Sequence, residues 1–255
     1  MRQHTLRRAG RHAGLALLDF LLPTRCFVCD ALLPPLALRG ACASCWAALC
    51  PVAPDACPGC ALAGPSDLLG PAGDRCADCR MAPPPFDTVR AAVVYDDAAR
   101  AIVLRAKDGR SRELYRELAR MMEATLRVAA PELAGIPIVP VPSHPWNDLV
   151  RGYSPAGEIA RRLRASSGCP RFALLSRRWR SPRNTKRLSG VSRRALADRG
   201  IRLRAPLAVR RLVLVDDVMT TGATLGACAR VLRAAGAEEI HALVWARTPR
   251  KAAGS

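Results

Sequence analysis

From about residue 89 onward, apolar and polar positions follow the periods of strands and helices in turn. Continuous apolar runs predict strands at 89–95, 136–142, 171–175, 211–217 and 240–247. Apolar residues spaced by three or four positions predict helices at 98–106, 111–129, 154–166 and 222–236. Because the strands are apolar throughout and helices separate them, the pattern predicts an α/β domain whose parallel sheet is covered by helices on both faces.

The chain before this domain has a different pattern. Residues 24–82 are rich in Cys, Pro and Gly and lack long periodic segments. Such a segment cannot form a conventional core, so it needs cross-links such as metal sites or disulfides. The proline-rich run at 81–89 marks the domain edge. We predict three parts: an N-terminal amphipathic helix within 1–23, a cysteine-rich module at 24–82, and the α/β domain at 83–250.

The N-terminal 25 residues are basic and then apolar, which superficially resembles a signal peptide. Asp19 interrupts the apolar run, and no small-residue cleavage site follows it, so residues 12–22 are interpreted as a short amphipathic helix. No run of about 18 apolar residues occurs, so no transmembrane span is expected. The expected location is the cytoplasm.

Nine of the eleven cysteines lie within residues 26–79, and eight of them form four Cys-x-x-Cys pairs. A two-residue spacer directs both sulfurs to one point, which favours metal binding over a disulfide framework. Two structural zinc sites are expected, with iron–sulfur clusters as the alternative. The sequence leaves open which pairs combine. The predicted ligands are Cys26, Cys29, Cys42, Cys45, Cys57, Cys60, Cys76 and Cys79.

The stretch 212–224, LVLVDDVMTTGAT, places two acids directly after an apolar strand. In open parallel sheets, ligands bind beyond the carboxyl ends of the strands. The adjacent carboxylates of Asp216 and Asp217 can accept hydrogen bonds from vicinal hydroxyls. The turn that follows combines threonine hydroxyls, the small Gly222 and a helix N-terminus, which suits a phosphate. The stretch therefore predicts a ribose 5-phosphate site, and a plain strand–turn–helix connection is the structural alternative.

Positive charge is concentrated in the C-terminal part of the chain. The formal net charge is +19, and residues 161–204 hold 15 basic residues and one acidic residue. This segment favours a polyanion such as single-stranded DNA, with a tryptophan on which a base could stack. Arginines that close over pyrophosphate and a solvated arginine-rich surface are the alternatives. The candidate nucleic-acid residues are Arg177, Arg178, Trp179, Arg180, Arg183, Lys186 and Arg187.

The stretch 212–224 resembles the 5-phosphoribosyl-1-pyrophosphate (PRPP) motif of type I phosphoribosyltransferases. The whole chain resembles the ComF family of competence-associated proteins, which includes the GntX proteins, through its cysteine pairs, KDGRSREL, VPVP, RGY and the PRPP motif. The resemblance implies a double zinc ribbon followed by a type I phosphoribosyltransferase-like domain. The chain departs from the family after RGY, where Ser154 and Pro155 replace the usual asparagine and glutamine.

The resemblance also implies individual roles. Asp216 and Asp217 contact the ribose of PRPP, and Mg²⁺ accompanies the ligand. Arg151 is the cation of a pyrophosphate loop at 139–152, and Lys107 lies where the family has a lysine, with a solvated surface lysine as the alternative. The residues implied to bind the 5-phosphate are Thr220, Thr221, Gly222, Ala223 and Thr224.

Three functions are compatible with these features. The first is a PRPP-binding protein that acts with DNA-uptake machinery in the uptake or processing of single-stranded DNA during natural transformation. The second is an active phosphoribosyltransferase that displaces pyrophosphate from PRPP with an unidentified acceptor. The third is a non-catalytic regulator that senses PRPP. No residue is assigned a catalytic role.

Overall fold

The structure is a computed structural model that describes residues 25–33, 40–62, 74–109, 112–179 and 200–249. The predicted helix at 12–22 lies outside these residues. So do four of the candidate nucleic-acid residues, Arg180, Arg183, Lys186 and Arg187. Within the described ranges, no helix has both the length and the apolar character that a membrane span requires.

A four-stranded parallel sheet forms the centre of the domain. Its strands are β1 (Thr88–Val94), β2 (Ile138–Pro140), β5 (Arg211–Met219) and β6 (Glu239–Arg247). They lie in the order β1-β6-β5-β2, and every pairing is parallel. Two shorter strands, β3 (Leu175–Arg177) and β4 (Ile201–Leu203), form a separate antiparallel pair.

Helices connect the strands, and their ends follow the sequence signals. Ser154 accepts a hydrogen bond from the Gly157 N–H and Pro155 is the first helical residue, as the sequence predicts. The helices of the domain are α3 (Asp97–Lys107), α4 (Leu114–Ala129), α5 (Pro145–Arg151), α6 (Pro155–Ser167) and α7 (Ala223–Ala234). Two short helices, α1 (Ala43–Ala47) and α2 (Ala77–Met81), lie in the cysteine-rich module.

Both faces of the sheet are buried, so the predicted architecture is confirmed. Along β5, Val213 and Val215 pack into the core that contains α3, α4 and α6. Leu212 and Leu214 alternate with them and pack into the core that contains α7. A strand that buries both faces requires apolar residues at successive positions, which is the reason for its continuous apolar run.

The structure corrects the sequence-based prediction in two places. The predicted strand at 171–175 is reduced to an isolated bridge between Arg171 and Ile138, and β3 begins only at Leu175. Helix α5 and strand β4 were not predicted from the pattern. These elements are three to seven residues long, and such lengths carry little periodic signal.

The cysteine-rich module packs along the β1 edge of the sheet. The Val52 N–H donates to the Ala92 carbonyl (3.1 Å), and the Val89 N–H donates to the Pro58 carbonyl (2.7 Å). These hydrogen bonds satisfy backbone groups that an edge strand otherwise exposes. The module is therefore held against the sheet through the backbone of β1.

Candidate functional site

The two adjacent acids lie near the carboxyl end of β5, between β6 and β2. Asp216 is half-buried, and Asp217 is buried with 7% of its surface exposed. Asp217 accepts a hydrogen bond from the Val218 N–H (2.8 Å), and Asp216 accepts one from the Asp217 N–H (2.9 Å). The strand thus presents both carboxylates at the edge of a parallel sheet where ligands bind.

The environment of Asp216 opposes its ionisation. Burial raises the pKa of Asp216 well above its usual value, and the neighbouring charge of Asp217 raises it further. The positive charge of Lys107 acts in the opposite direction. A cation or hydroxyl donors supplied by a ligand therefore stabilise the ionised form of Asp216.

Lys107 contacts the site directly. It is the last residue of α3, and its Nζ lies 2.5 Å from Asp217 Oδ2 with a quarter of the lysine side chain exposed. The structure therefore brings Lys107 to the acids, and it is not a solvated surface lysine. Its proposed contact with pyrophosphate stays a prediction.

Between β5 and α7, residues 220–222 form a tight turn. Gly222 has a φ of +75°, and a Cβ at this position would lie 2.8 Å from Met219 Cε. The positive φ favours glycine, and a Cβ would also displace the end of the Met219 side chain. The Thr221 hydroxyl accepts a hydrogen bond from the Ala223 N–H (3.3 Å) where α7 begins. The turn and the first residues of α7 line a small polar cavity together with Asp216.

This cavity has the chemistry of an anion site. The N–H groups in the first turn of a helix lack intrahelical acceptors, and the helix dipole places partial positive charge there. The predicted phosphate residues Thr220, Thr221, Gly222, Ala223 and Thr224 all line the cavity.

Arg151, which precedes the phosphate turn in the chain, lies in a helix that the sequence pattern does not predict. It is the last residue of α5, so the segment predicted as a pyrophosphate loop contains a helix. The next residues pack on the end of α3, where the Tyr153 hydroxyl donates to the Ala106 carbonyl (2.6 Å). The RGY motif therefore supports the residue that precedes Lys107.

Tyr115 on α4 connects these parts of the site and was missed by the sequence analysis. Its ring lies edge-on to Tyr153, with ring centroids 5.7 Å apart. Burial raises the pKa of Tyr115, and Tyr153 and Asp217 raise it further, whereas Arg151 opposes the shift. In the sequence, Tyr115 occupies a position on the apolar face of α4. The pattern therefore does not distinguish it from the other core residues of that helix.

Arg247 is a second residue that the sequence analysis missed. It ends β6, has 6% of its surface exposed, and donates from Nη1 to the carbonyls of Met219 (3.1 Å) and Thr220. These carbonyls belong to the start of the phosphate turn. The sequence signal was an arginine at the end of an apolar strand, at the same sheet edge as the two acids.

Trp179, in the described part of the basic segment, forms an exposed aromatic pair with a residue of α5. Trp179 is 56% exposed and packs edge-on against Trp146, which is 43% exposed, with centroids 6.1 Å apart. Trp179 also lines a cavity with Arg177 and with Arg171 and Arg204, two arginines outside the predicted set. Arg178 is exposed beside them.

The eight paired cysteines form two clusters from consecutive pairs. In each cluster the four sulfurs lie within 4.8 Å of one another. Sulfur–sulfur distances are 3.8 Å for Cys26–Cys45, 3.6 Å for Cys29–Cys42 and 3.8 Å for Cys60–Cys76. A tetrahedral site with Zn–S bonds of about 2.3 Å has sulfur–sulfur edges of about 3.8 Å. Cluster 1 comprises Cys26, Cys29, Cys42 and Cys45, and cluster 2 comprises Cys57, Cys60, Cys76 and Cys79.

Backbone N–H groups point at sulfurs in both clusters. The Cys42 N–H lies 3.2 Å from Cys26 Sγ, and the Cys76 N–H lies 3.2 Å from Cys57 Sγ. Burial raises the pKa of these thiols, but the backbone donors outweigh it and lower the pKa to about 6 for Cys26 and about 7 for Cys57. Zinc binds thiolates, so both clusters fit structural zinc.

Two families of known proteins match separate parts of the chain. Residues 17–80 match the double zinc ribbon domain, and residues 149–254 match the phosphoribosyl transferase domain.

Two curated relatives match much of the chain. "Competence protein F" of Haemophilus influenzae is 28% identical over 181 residues, covering 67% of this chain and 76% of the relative. "DNA utilization protein YhgH" of Salmonella typhi is 28% identical over 236 residues, covering 89% and 98%. A solved structure of an allosteric regulatory enzyme of purine biosynthesis matches 51% of this chain and 25% of its own, at 21% identity and a TM-score of 0.34.

Proposed function

The chain belongs to the ComF family, in which a double zinc ribbon precedes a phosphoribosyltransferase domain, and we propose that it binds PRPP at the carboxyl edge of its sheet. One observation carries the proposal: Asp216 and an N-terminal helix turn line the same small cavity at the end of β5, and Asp217 follows Asp216 directly on the strand. Vicinal ribose hydroxyls suit the acids, and a 5-phosphate suits the turn.

In this proposal each group has one task. Asp216 and Asp217 accept hydrogen bonds from the two ribose hydroxyls, while the turn donates N–H and hydroxyl groups to the 5-phosphate. Lys107 moves from Asp217 toward the pyrophosphate, where Arg151 adds a second positive charge. Mg²⁺ arrives with PRPP, since it prefers phosphate oxygens and retains much of its water.

Titration calorimetry of the zinc-loaded protein with PRPP, with and without Mg²⁺, tests this proposal. We expect saturable binding that Mg²⁺ strengthens and that falls at least about tenfold in Asp217→Asn, because the loss of one charged acceptor costs about 1.5–3 kcal/mol. Asp55→Asn in the cysteine-rich module is the control and retains wild-type affinity. Equal affinity in Asp217→Asn and wild type contradicts the assignment of the acids.

Catalysis is a separate question from binding. A transferase is assigned only if PRPP releases pyrophosphate in the presence of an acceptor. This test is needed because Ser154 and Pro155 replace the two residues that follow RGY in the family. Pyrophosphate release across nucleobases and amines is the measurement. Binding without turnover on any acceptor supports the third function, a regulator that senses PRPP.

The Trp146–Trp179 pair favours a link to single-stranded DNA. Both rings are exposed, and three arginines line the adjoining cavity. Stacked bases and arginine–phosphate contacts are the usual means of binding single strands. The relatives' names, a competence protein and a DNA utilization protein, point in the same direction. We propose that the protein acts on incoming DNA in the cytoplasm, where a reducing environment preserves cysteine thiolates.

Fluorescence anisotropy with a labelled single-stranded oligonucleotide tests the DNA role. We expect affinity to fall steeply with salt, and to fall about fivefold or more in Trp179→Ala, since stacking contributes about 1–3 kcal/mol per base. Arg178→Gln weakens binding as well. Arg210→Gln is the control, since Arg210 lies just before β5 and pairs with Glu238. Unchanged affinity in both Trp179→Ala and Arg178→Gln excludes this surface.

A further inference from the structure

Arg247 joins two parts of the molecule that are far apart in sequence. Its Nε donates to the carbonyl of Cys60, a ligand of cluster 2, at 2.7 Å. Its Nη1 donates to the carbonyls of Met219, Thr220 and Thr248, with Met219 at 3.1 Å and Thr248 at 2.8 Å. One guanidinium group therefore holds the backbone of a metal ligand and the backbone that leads into the phosphate turn.

The charge of Arg247 is buried without a carboxylate partner. Among the described residues no Asp or Glu forms an ion pair with it, although a buried cation normally needs one. Backbone carbonyls satisfy the donors but carry only partial charge. Cys60 and Cys79 of cluster 2 line the same cleft as the Arg247 guanidinium.

A zinc-bound cluster 2 supplies negative charge that compensates the buried positive charge of Arg247. Four thiolates around one Zn²⁺ leave a net charge of about −2 on cluster 2, next to the guanidinium. Metal binding and folding are coupled at such sites, so loss of the metal releases the loop that carries the Cys60 carbonyl. Arg247 then loses a hydrogen-bond acceptor.

We propose that Arg247 couples the metal state of cluster 2 to the ligand affinity of the phosphate turn. Zinc-loaded cluster 2 fixes Arg247, and Arg247 fixes the carbonyls of Met219 and Thr220 in the arrangement that directs the turn's N–H groups at a phosphate. Arg247 is a positioning residue that does not touch the ligand. The inference rests on the proposed PRPP site. A single cleft lined by Cys60, Cys79, Arg247 and residues 219–223 runs between the two parts.

Coupling of this kind is reciprocal. If zinc in cluster 2 strengthens PRPP binding, PRPP must raise the zinc affinity of cluster 2 by the same factor, and we expect the gain to appear as slower zinc release. Cluster 1 provides an internal control, because Cys26 packs in the other core with Leu114 of α4. PRPP should leave the zinc of cluster 1 unaffected.

Zinc release from the full-length, zinc-loaded protein to a chromogenic chelator measures the coupling. We expect two release phases, one of which saturating PRPP slows about tenfold, within the usual range of such coupling. In Arg247→Gln the slowing disappears while both zinc ions still bind. In Arg247→Lys, which keeps the charge but cannot bridge several carbonyls, most of it is also lost. Arg90→Gln is the control, since Arg90 donates to the backbone carbonyls of Ala129 and Val89 instead of those that lead into the phosphate turn.

The outcomes separate this inference from the function on which it rests. If calorimetry detects PRPP binding but PRPP changes neither release phase of the wild type, the coupling is wrong and the PRPP site stands. Retained slowing in Arg247→Gln also overturns it. If PRPP does not bind at all, both proposals fail. Should neither Arg247 variant fold, the wild-type experiment alone decides, because slowing of one phase and not the other is the specific result.

Discussion

At the scale of single residues, the two adjacent aspartates have different surroundings. Asp217 has a cation 2.5 Å away and a backbone donor, so its charge is compensated in the ligand-free protein. Asp216 lies next to that charge, and burial raises its pKa. The sequence identified both acids from their position after an apolar strand. It could not separate their roles, because the partner Lys107 is more than 100 positions away.

The raised pKa of Asp216 has a consequence for stability. Folding shifts this carboxyl upward, so its ionised form opposes folding, and the penalty grows as pH rises from the usual carboxyl range toward the raised value. Asp216→Asn removes the penalty. We expect the melting temperature of the ligand-free variant at pH 7.5 to exceed that of the wild type by about 2 °C or more, while PRPP affinity falls.

The comparison needs a pH series and a matched variant. The difference between Asp216→Asn and wild type should shrink as the pH falls through and below the usual carboxyl range, where the wild-type carboxyl becomes protonated in both states. Asp217→Asn breaks the contact with Lys107 and should lower the melting temperature at pH 7.5. An Asp216→Asn variant that is less stable than wild type at neutral pH contradicts this account of the site.

At the scale of elements, the connection from β5 to α7 follows directly from the sequence pattern. An apolar run ended by two acids, followed by a glycine, defined both elements to within about two residues. The β3–β4 pair was not predicted, because strands of three residues are specified by distant pairing, such as Leu175 with Leu203, rather than by local pattern.

Gly222 tests the geometry of this connection. Gly222→Ala places a Cβ against Met219 in a left-handed conformation, which costs roughly 1–2 kcal/mol and displaces the turn. We expect a small loss of thermal stability and at least a tenfold loss of PRPP affinity, measured by calorimetry.

Gly168→Ala is the matched control for Gly222→Ala. Gly168 has a φ of +73°, and a Cβ there meets no atom within 4 Å. Its variant should lose a similar amount of stability and keep wild-type affinity. If both variants bind PRPP equally well, the turn does not hold the phosphate.

At the scale of the whole molecule, the cysteine-rich module is part of the support for the sheet rather than an appendage. Its backbone pairs with β1, and Cys60 shares Arg247 with the end of β5. Cysteine spacing predicted the ligands of both clusters. It could not predict how the module packs, because contacts such as Val52 with Ala92 depend on surfaces that form only after both parts fold.

Metal content follows from the two clusters. We expect about two zinc ions per chain by elemental analysis and no visible charge-transfer band. Cys57→Ser should reduce the content to about one and lower the melting temperature by about 5 °C or more, since metal binding contributes directly to folding. Cys50→Ser, an exposed thiol outside both clusters, should change neither value. An intense visible spectrum with bound iron contradicts the zinc assignment.

The central claim is that the carboxyl edge of β5 recognises a ribose 5-phosphate unit. Competition against labelled PRPP tests it most directly, with ribose 5-phosphate and 2-deoxyribose 5-phosphate as competitors. The account predicts that ribose 5-phosphate displaces PRPP completely and that the 2-deoxy sugar is at least about fivefold weaker, because one hydroxyl donor to the aspartates is missing. Failure of ribose 5-phosphate to displace PRPP, or equal competition by the two sugars, contradicts it.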